Sequence, residues 1–212
     1  MNIPNLQIAL DNNNLEDALL CLQEIAEYVD IIEAGTILCL NEGMKAVKYI
    51  KTLYPDKILL ADTKCADAGK TVANNCKLAG ADWMTVICSA TLPTMKAAFD
   101  IMSDLQVELY GDWTFEHAKS WYDLGIRQVV YHQSRDSLLS GGSWGEKDLN
   151  KIEKLIDMGF KVSVTGGLDY DKIDLFRNLD VYTFIVGRGL READNPAEEA
   201  AKWKKRLEEI WG

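Results

Sequence analysis

The sequence lacks the features that mark membrane, secreted and nucleic-acid-binding proteins. No run of eighteen apolar residues occurs in the 212-residue chain, so no transmembrane helix is predicted. Residues 1–5 contain no basic stretch leading into an apolar run, which is not the pattern of a signal peptide. The net charge is −10, which leaves no basic surface for phosphate backbones or anionic lipids. We expect a cytoplasmic protein without nucleic-acid or membrane partners.

Cysteine patterns of metal or redox sites are also missing. The five cysteines are scattered and odd in number, and no C-x-x-C pair occurs. This spacing predicts reduced thiols in a reducing compartment. Apolar residues make up 48% of the chain and charged residues 26%, as in ordinary globular proteins. The length suits one full-sized hydrophobic core, and no linker-like segment divides the chain.

Short apolar runs alternate with longer amphipathic stretches along the whole chain. The runs predict strands at 6–10, 31–35, 58–64, 83–89, 107–111, 128–132, 161–167 and 183–189. The amphipathic stretches predict helices at 15–29, 44–53, 67–78, 92–102, 114–124, 146–158, 171–179 and 196–211. Eight strand–helix units favour an α/β fold, a single (β/α)8 TIM barrel that occupies residues 1–212 as one catalytic domain. An open doubly wound sheet is the alternative, but residues 11–14 lack its glycine-rich first turn.

One connection is longer than the others. Residues 133–144 follow the sixth predicted strand and include Arg135. A long loop on the active face of a barrel is often a substrate lid. A tolerated insertion is an equally good reading of this segment.

Polar residues interrupt or follow the predicted strands at their carboxyl ends, where barrel active sites form. They are Asp11, Glu33, Asp62, Lys64, Asp67, Glu108, His132, Arg135, Thr165, Gly167, Gly187 and Arg188. Buried charges without partners are costly. A ring of such residues therefore implies mutual pairing, a metal or a ligand.

Three groups of these residues predict specific chemistry. Asp62 and Lys64 are two apart and face the same side of a strand, although a structural ion pair would give the same pattern. Glu33 and Asp62 offer the oxygen ligands that Mg²⁺ prefers. His132 is either a site residue or a satisfied core histidine.

The ends of the seventh and eighth strands are rich in glycine. Residues 165–167 read Thr-Gly-Gly, and residues 187–189 read Gly-Arg-Gly. Barrels commonly bind phosphate at this position through backbone N–H groups. Two glycine-rich turns are the alternative, but Arg188 adds a charge suited to phosphate, so we favour a phosphate site.

The segment Asp62-Thr-Lys64-Cys-Ala-Asp67 reads D-x-K-x-x-D at the end of the third strand. This motif resembles the orotidine-5′-monophosphate decarboxylase superfamily. Further segments extend the resemblance over essentially the whole chain: residues 6–11, 29–43, 80–86, 130–136, 164–167 and 184–188. Together they resemble the 3-keto-L-gulonate-6-phosphate decarboxylase family, which Glu108, His132, Arg135 and Thr165 favour over the sister hexulose-6-phosphate synthases.

The resemblance implies a Mg²⁺-dependent lyase that converts 3-keto-L-gulonate 6-phosphate to L-xylulose 5-phosphate and CO₂ through an enediolate. It implies Glu33 and Asp62 as metal-site carboxylates, and Lys64, Asp62, Asp67, His132 and Arg135 as catalytic residues. It implies as substrate-binding residues Asp11, Glu33, Glu108, Thr165, Gly167, Gly187 and Arg188. The resemblance also implies a homodimer in which Asp67 reaches into the partner's site. The pathway context is L-ascorbate or related sugar-acid catabolism.

Other functions remain open at this point. A hexulose-6-phosphate synthase would add formaldehyde to D-ribulose 5-phosphate through a similar intermediate. Orotidine monophosphate decarboxylation would need no metal. A non-catalytic sugar-phosphate-binding barrel would have no use for the acid–lysine set.

Overall fold

Eight parallel strands close into a barrel in the computed structural model, which describes residues 2–212. In chain order they are β1 Asn5–Leu10, β2 Ile31–Ala34, β3 Ile58–Cys65, β4 Trp83–Ile87, β5 Leu105–Leu109, β6 Gln128–His132, β7 Lys161–Thr165 and β8 Thr183–Val186. Each strand pairs with the next, and β8 pairs with β1. The predicted (β/α)8 barrel is confirmed.

Helices connect the strands around the outside. They are α1 Leu15–Ile25, α2 Thr36–Glu42, α3 Met44–Leu53, α4 Gly69–Ala79, α5 Leu92–Phe99, α6 Phe115–Leu124, α7 Arg135–Leu139, α8 Glu146–Asp157, α9 Arg188–Arg191 and α10 Pro196–Trp211. No helix within residues 2–212 is both long enough and apolar enough to cross a membrane.

Several helix starts follow from local side-chain chemistry. Asn14 caps α1 by accepting a hydrogen bond from the backbone N–H of Asp17. Thr114 and His117 form a reciprocal capping box at the start of α6. His117 therefore serves the helix end.

Several observed elements differ from those predicted. The segment predicted as a helix at 171–179 forms a 3₁₀ helix, Tyr170–Phe176. The short helix α2 was not predicted, because Ile37 and Leu40 remain exposed and leave it no clear amphipathic face. The predicted strands at 161–167 and 183–189 end early, at Thr165 and Val186.

Alternate residues of each strand face the barrel interior, where they form two rings. The upper ring, at the carboxyl ends, consists of Ala9, Glu33, Asp62, Thr85, Glu108, Val130, Thr165 and Ile185. The lower ring, two residues earlier in each strand, consists of Gln7, Ile31, Leu60, Trp83, Gln106, Gln128, Ser163 and Thr183. The intervening residues face the helices and form the main hydrophobic core.

Candidate active site

A cavity of about 990 Å³ opens at the carboxyl ends of the strands, and the upper ring forms its floor. Every residue predicted for the site lines this cavity except Asp67. Asp67 is exposed on the loop between β3 and α4, away from the described cavity of its own chain. The structure therefore brings the predicted site residues together from every strand except β4, or from the loops that follow those strands.

Strand β3 delivers Asp62 and Lys64 through an irregular end. Its pairing with β4 shifts register between Ala61 and Cys65. Lys64 has a φ of 43°, which is unusual for a residue other than glycine. The backbone N–H of Lys64 donates to Thr85 Oγ1 at 2.8 Å, a side-chain partner in place of a carbonyl of the strand. This bulge aims the Lys64 ammonium into the cavity.

Asp62 is buried and accepts three hydrogen bonds. Lys64 Nζ lies 2.6 Å from Oδ2, Thr36 Oγ1 donates to Oδ2 at 2.5 Å, and Thr85 Oγ1 donates to Oδ1 at 2.7 Å. Burial alone would raise the pKa of Asp62, but the charge of Lys64 and these donors outweigh it and lower the pKa. Asp62 is therefore held as a carboxylate.

Lys64 lies between two buried carboxylates. Its Nζ atom is 2.7 Å from Glu108 Oε2, an ion-pair contact rather than an aligned hydrogen bond, as well as 2.6 Å from Asp62 Oδ2. Burial alone would lower the pKa of Lys64, but the two carboxylates raise it above its ordinary value. The structure thus holds a fixed positive charge on the cavity floor.

The series of charged contacts extends from Lys64 through Glu108 to His132. Glu108 Oε1 lies 2.6 Å from His132 Nδ1, so Glu108 joins the ammonium to the imidazole. His132 is half-buried and lines the cavity, which supports its interpretation as a site residue rather than a core histidine. Tyr110, at the end of β5, contacts the same imidazole, with its hydroxyl 2.7 Å from Nδ1.

Glu33 is the second carboxylate of the predicted metal pair. Its Oε2 atom accepts a hydrogen bond from Gln7 Nε2 at 2.5 Å, across the two rings. Burial, with a further contribution from the nearby Asp62, raises the pKa of Glu33 well above its ordinary value. The residues described form no cluster of three or more metal-ligating side chains.

The glycine-rich strand ends lie at one side of the cavity. Gly166 has a φ of 99°, and a Cβ atom there would collide with the carbonyl of Gln133. Trp144 is buried and its Nε1 donates to the Gly166 carbonyl at 2.8 Å, which ties the long loop to β7. Arg188 lines the cavity and is exposed, so its guanidinium is accessible to a ligand.

The long loop after β6 lies over the same side. Residues Arg135, Asp136 and Leu138 line the cavity, and α7 begins at Arg135. Asp11, which directly follows β1, also lines the cavity and accepts a hydrogen bond from the backbone N–H of Ile37 at 3.3 Å. A side chain at position 35 would collide with Asp11, which explains the glycine there.

Reasoning from the sequence missed four residues whose side chains contact predicted site residues: Gln7, Thr36, Thr85 and Tyr110. Each is an uncharged polar residue that lies on a strand or just after one, and each contacts a site residue on a neighbouring strand. For Gln7 and Thr85, the available signal was the two-residue spacing along β1 and β4, which places both inside the barrel. Their partners depend on register, which a single sequence does not show.

Comparison with known proteins gives a consistent result. The orotidine 5′-phosphate decarboxylase / HUMPS family model matches residues 4–203. The 3-keto-L-gulonate-6-phosphate decarboxylase UlaD of Escherichia coli O17:K52:H18 is 50% identical, with 100% of both chains covered.

Solved structures give the same family. A ligand-bound crystal structure of KGPDC from Streptococcus mutans is 57% identical, with a TM-score of 0.97 and 100% of both chains covered. The 3-hexulose-6-phosphate synthase of Salmonella typhimurium is 28% identical, with a TM-score of 0.91, and covers 97% of this chain and 99% of its own. The chain therefore belongs to the orotidine 5′-phosphate decarboxylase / HUMPS family.

Proposed function

We propose that the protein is a Mg²⁺-dependent 3-keto-L-gulonate-6-phosphate decarboxylase that forms L-xylulose 5-phosphate and CO₂. The observation that carries this proposal is the placement of Lys64 between Asp62 and Glu108 on the cavity floor. The full-length similarity to decarboxylases, at 50–57% identity against 28% for the synthase, favours it over aldol addition. The enzyme would act in L-ascorbate or related sugar-acid catabolism, as one catalytic domain of residues 1–212 in the cytoplasm.

Lys64 carries the central step. Loss of CO₂ from a β-keto acid breaks a carbon–carbon bond, and its electron pair moves onto the neighbouring carbonyl to give an enediolate. A preorganised positive charge beside the developing oxyanion stabilises that charge more than it stabilises the substrate. Asp62 and Glu108 hold the ammonium in place, while Asp62 and Asp11 position substrate hydroxyls.

His132 and Arg135 support the second half of the reaction. The enediolate carbon must gain a proton, and a water molecule can supply it and leave as hydroxide. His132 is held by Glu108 on the cavity wall, and Arg135 lies on the loop above it. In this proposal they orient the water toward the carbon.

The residues present fit a Mg²⁺ ion. Glu33 and Asp62 are buried oxygen donors on the floor of one cavity that is open to water and substrate. Two carboxylates suit Mg²⁺, because it usually keeps several waters and takes further oxygens from the substrate. When bound, the ion would supply Lewis-acid stabilisation of the developing oxyanion.

The phosphate group would bind at the glycine-rich side of the cavity. Arg188 supplies charge, the backbone near Gly167 and Gly187 allows close approach, and Thr165 adjoins them at the end of β7. Binding energy from the phosphate helps to hold the reacting end in place.

The exposed position of Asp67 supports the proposed homodimer, in which this residue completes the partner's site. Mixing Lys64→Ala and Asp67→Ala subunits tests it. If Asp67 acts across the interface, random mixing restores about a quarter of wild-type activity, because half of the dimers then carry one intact site. If Asp67 acts within its own chain, the mixture stays as inactive as either variant alone.

The decisive experiment measures CO₂ release from 3-keto-L-gulonate 6-phosphate by purified protein with Mg²⁺, beside an EDTA control. Release that EDTA abolishes and added Mg²⁺ restores supports the proposal. Folded protein that consumes formaldehyde with D-ribulose 5-phosphate, but releases no CO₂, would instead be a synthase. Substrate binding without either turnover would indicate a non-catalytic barrel.

A further inference from the structure

Tyr110 occupies a position in the site that the proposed chemistry leaves without a role. It follows β5 directly, two residues after Glu108, and is half-buried in the cavity wall. Its ring lies 4.6 Å from the imidazole of His132, centroid to centroid, with an angle of 37° between the planes. The two rings are therefore in close contact over one face.

The hydroxyl group of Tyr110 lies beside the nitrogen atoms of that imidazole. It is 2.7 Å from Nδ1 and 3.3 Å from Nε2 of His132. Glu108 Oε1 is 2.6 Å from the same Nδ1 atom. Nδ1 thus has two oxygen neighbours, although it offers only one lone pair or one N–H bond.

Glu108 and Tyr110 together select one of the two tautomers. Glu108 is paired with the Lys64 ammonium, and a carboxylate only accepts hydrogen bonds. Nδ1 of the neutral imidazole must then carry the hydrogen and donate it to Glu108. Nε2 is left as the acceptor atom of the ring, and the Tyr110 hydroxyl, 3.3 Å away, can donate to it.

Tyr110 is suited to holding this arrangement. Burial and the neighbouring Glu108 raise the pKa of Tyr110, so its hydroxyl keeps its hydrogen near neutral pH. The Nζ atom of Lys64 lies 5.8 Å from the centre of the tyrosine ring. One side chain therefore contacts the imidazole and also lies over the ammonium that Glu108 binds.

We propose that Tyr110 is a positioning residue that holds the His132 imidazole against Glu108 in the Nδ1–H tautomer and leaves Nε2 unprotonated. Its consequence for turnover rests on the proposed function, because a fixed imidazole would hold the water that protonates the enediolate carbon in one orientation. The tautomer itself does not depend on substrate. The two parts of the proposal can therefore be tested separately.

The tautomer can be read directly by long-range ¹H–¹⁵N NMR of the imidazole nitrogens in ¹⁵N-labelled protein. The chain has only two histidines, so a His117→Gln variant assigns the His132 signals. The variant under test is Tyr110→Phe, which keeps the ring and removes the hydroxyl. The matched control is Tyr131→Phe, because the Tyr131 hydroxyl also makes a side-chain hydrogen bond, to Asp148 at 2.8 Å, but does not line the cavity.

At neutral pH, the wild-type protein should show His132 with a protonated Nδ1 and an unprotonated Nε2. In Tyr110→Phe we expect nitrogen shifts averaged between tautomers, and kcat lowered about tenfold with KM changed less than about twofold, as for lost orientation. Tyr131→Phe should leave both the shifts and kcat unchanged.

Two results would overturn the proposal. One is wild-type protein with His132 protonated at Nε2, a result that does not require any variant to fold. The other is Tyr110→Phe with wild-type shifts and wild-type kcat. If wild-type protein released no CO₂, the proposed function would fail, whereas the tautomer measurement would still decide the role of Tyr110 as a positioning residue.

Discussion

The upper and lower rings come from the same eight strands and lie two residues apart, but they differ in charge. The upper ring contains three carboxylates and forms the cavity floor. The lower ring is as deeply buried, and its polar members are amides and hydroxyls: Gln7, Gln106, Gln128, Ser163 and Thr183. Charge is placed only where a cation, water or ligand can reach it, because an unpaired buried charge costs far more than an unpaired amide.

The rings also differ in how completely their polar atoms are paired. In the upper ring, Asp62 has donors at both oxygens, and Glu108 Oε2, which lacks an aligned hydrogen bond, is paired with the Lys64 ammonium. In the lower ring, Gln7 Oε1, Gln106 Oε1, Ser163 Oγ and Thr183 Oγ1 have no hydrogen-bond partner within residues 2–212. The comparison indicates that the upper ring is organised for chemistry and that the lower ring mainly fills the barrel.

The largest effect on activity should follow the loss of Lys64, the cation paired with two carboxylates of the upper ring. Lys64→Ala removes the charge that would stabilise the oxyanion, and we expect turnover to fall by about 10³-fold or more. The measurement is CO₂ release by protein whose circular dichroism matches that of wild type. A fully active variant would remove Lys64 from the mechanism.

A substitution lower in the same strand should affect stability instead. Leu60→Ala leaves a cavity among Ile31 and Trp83, and we expect it to cost about 2–5 kcal/mol of unfolding free energy. Urea unfolding measures this loss, and kcat of the folded protein should stay near wild type. A large fall in kcat without a fall in stability would contradict the division between the rings.

Two threonine substitutions compare the rings directly. Thr85→Val removes a hydroxyl that donates to Asp62 and accepts from the Lys64 backbone, and we expect a loss of about 1–3 kcal/mol and lower activity. Thr183→Val removes a hydroxyl that has no partner in the described part of the chain, so its effect on stability should be within about 0.5 kcal/mol of zero. Equal losses in the two variants would show that the lower hydroxyl is also engaged.

The stability of the protein should depend on pH through Glu33. Burial and Asp62 raise its pKa, so the folded state binds this proton more tightly than the unfolded chain does. In EDTA, the stability contributed by the protonated group should be complete below the ordinary pKa of 4.5 and fall as the pH rises toward the folded-state value.

Glu33→Gln removes this dependence. We expect the variant to gain stability over wild type between pH 5 and pH 8 in EDTA, by on the order of 1 kcal/mol, while it loses activity. Urea unfolding at the two pH values provides the measurement. A variant that loses stability relative to wild type as the pH rises would show that Glu33 is compensated in the protein without metal.

The sequence predicted the barrel because each strand is a separate apolar run, and its charged site residues because each one interrupts or ends such a run. It could not predict the bulge in β3, since nothing in the residue type of Lys64 signals a positive φ. It also could not pair Thr85 with Asp62 or Tyr110 with His132, because these contacts depend on register and on how neighbouring strand ends meet. Polar residues without charge were therefore the ones it missed.

The pairing of β8 with β1 has a consequence for synthesis on the ribosome. The cavity needs Asp11 from the first strand end and Arg188 from the last, and the barrel is closed only when β8 joins β1. A nascent chain that has not yet released β8 has an open sheet edge, and its cavity lacks Arg188. Substrate therefore cannot stabilise growing chains, and its binding energy becomes available only to finished ones.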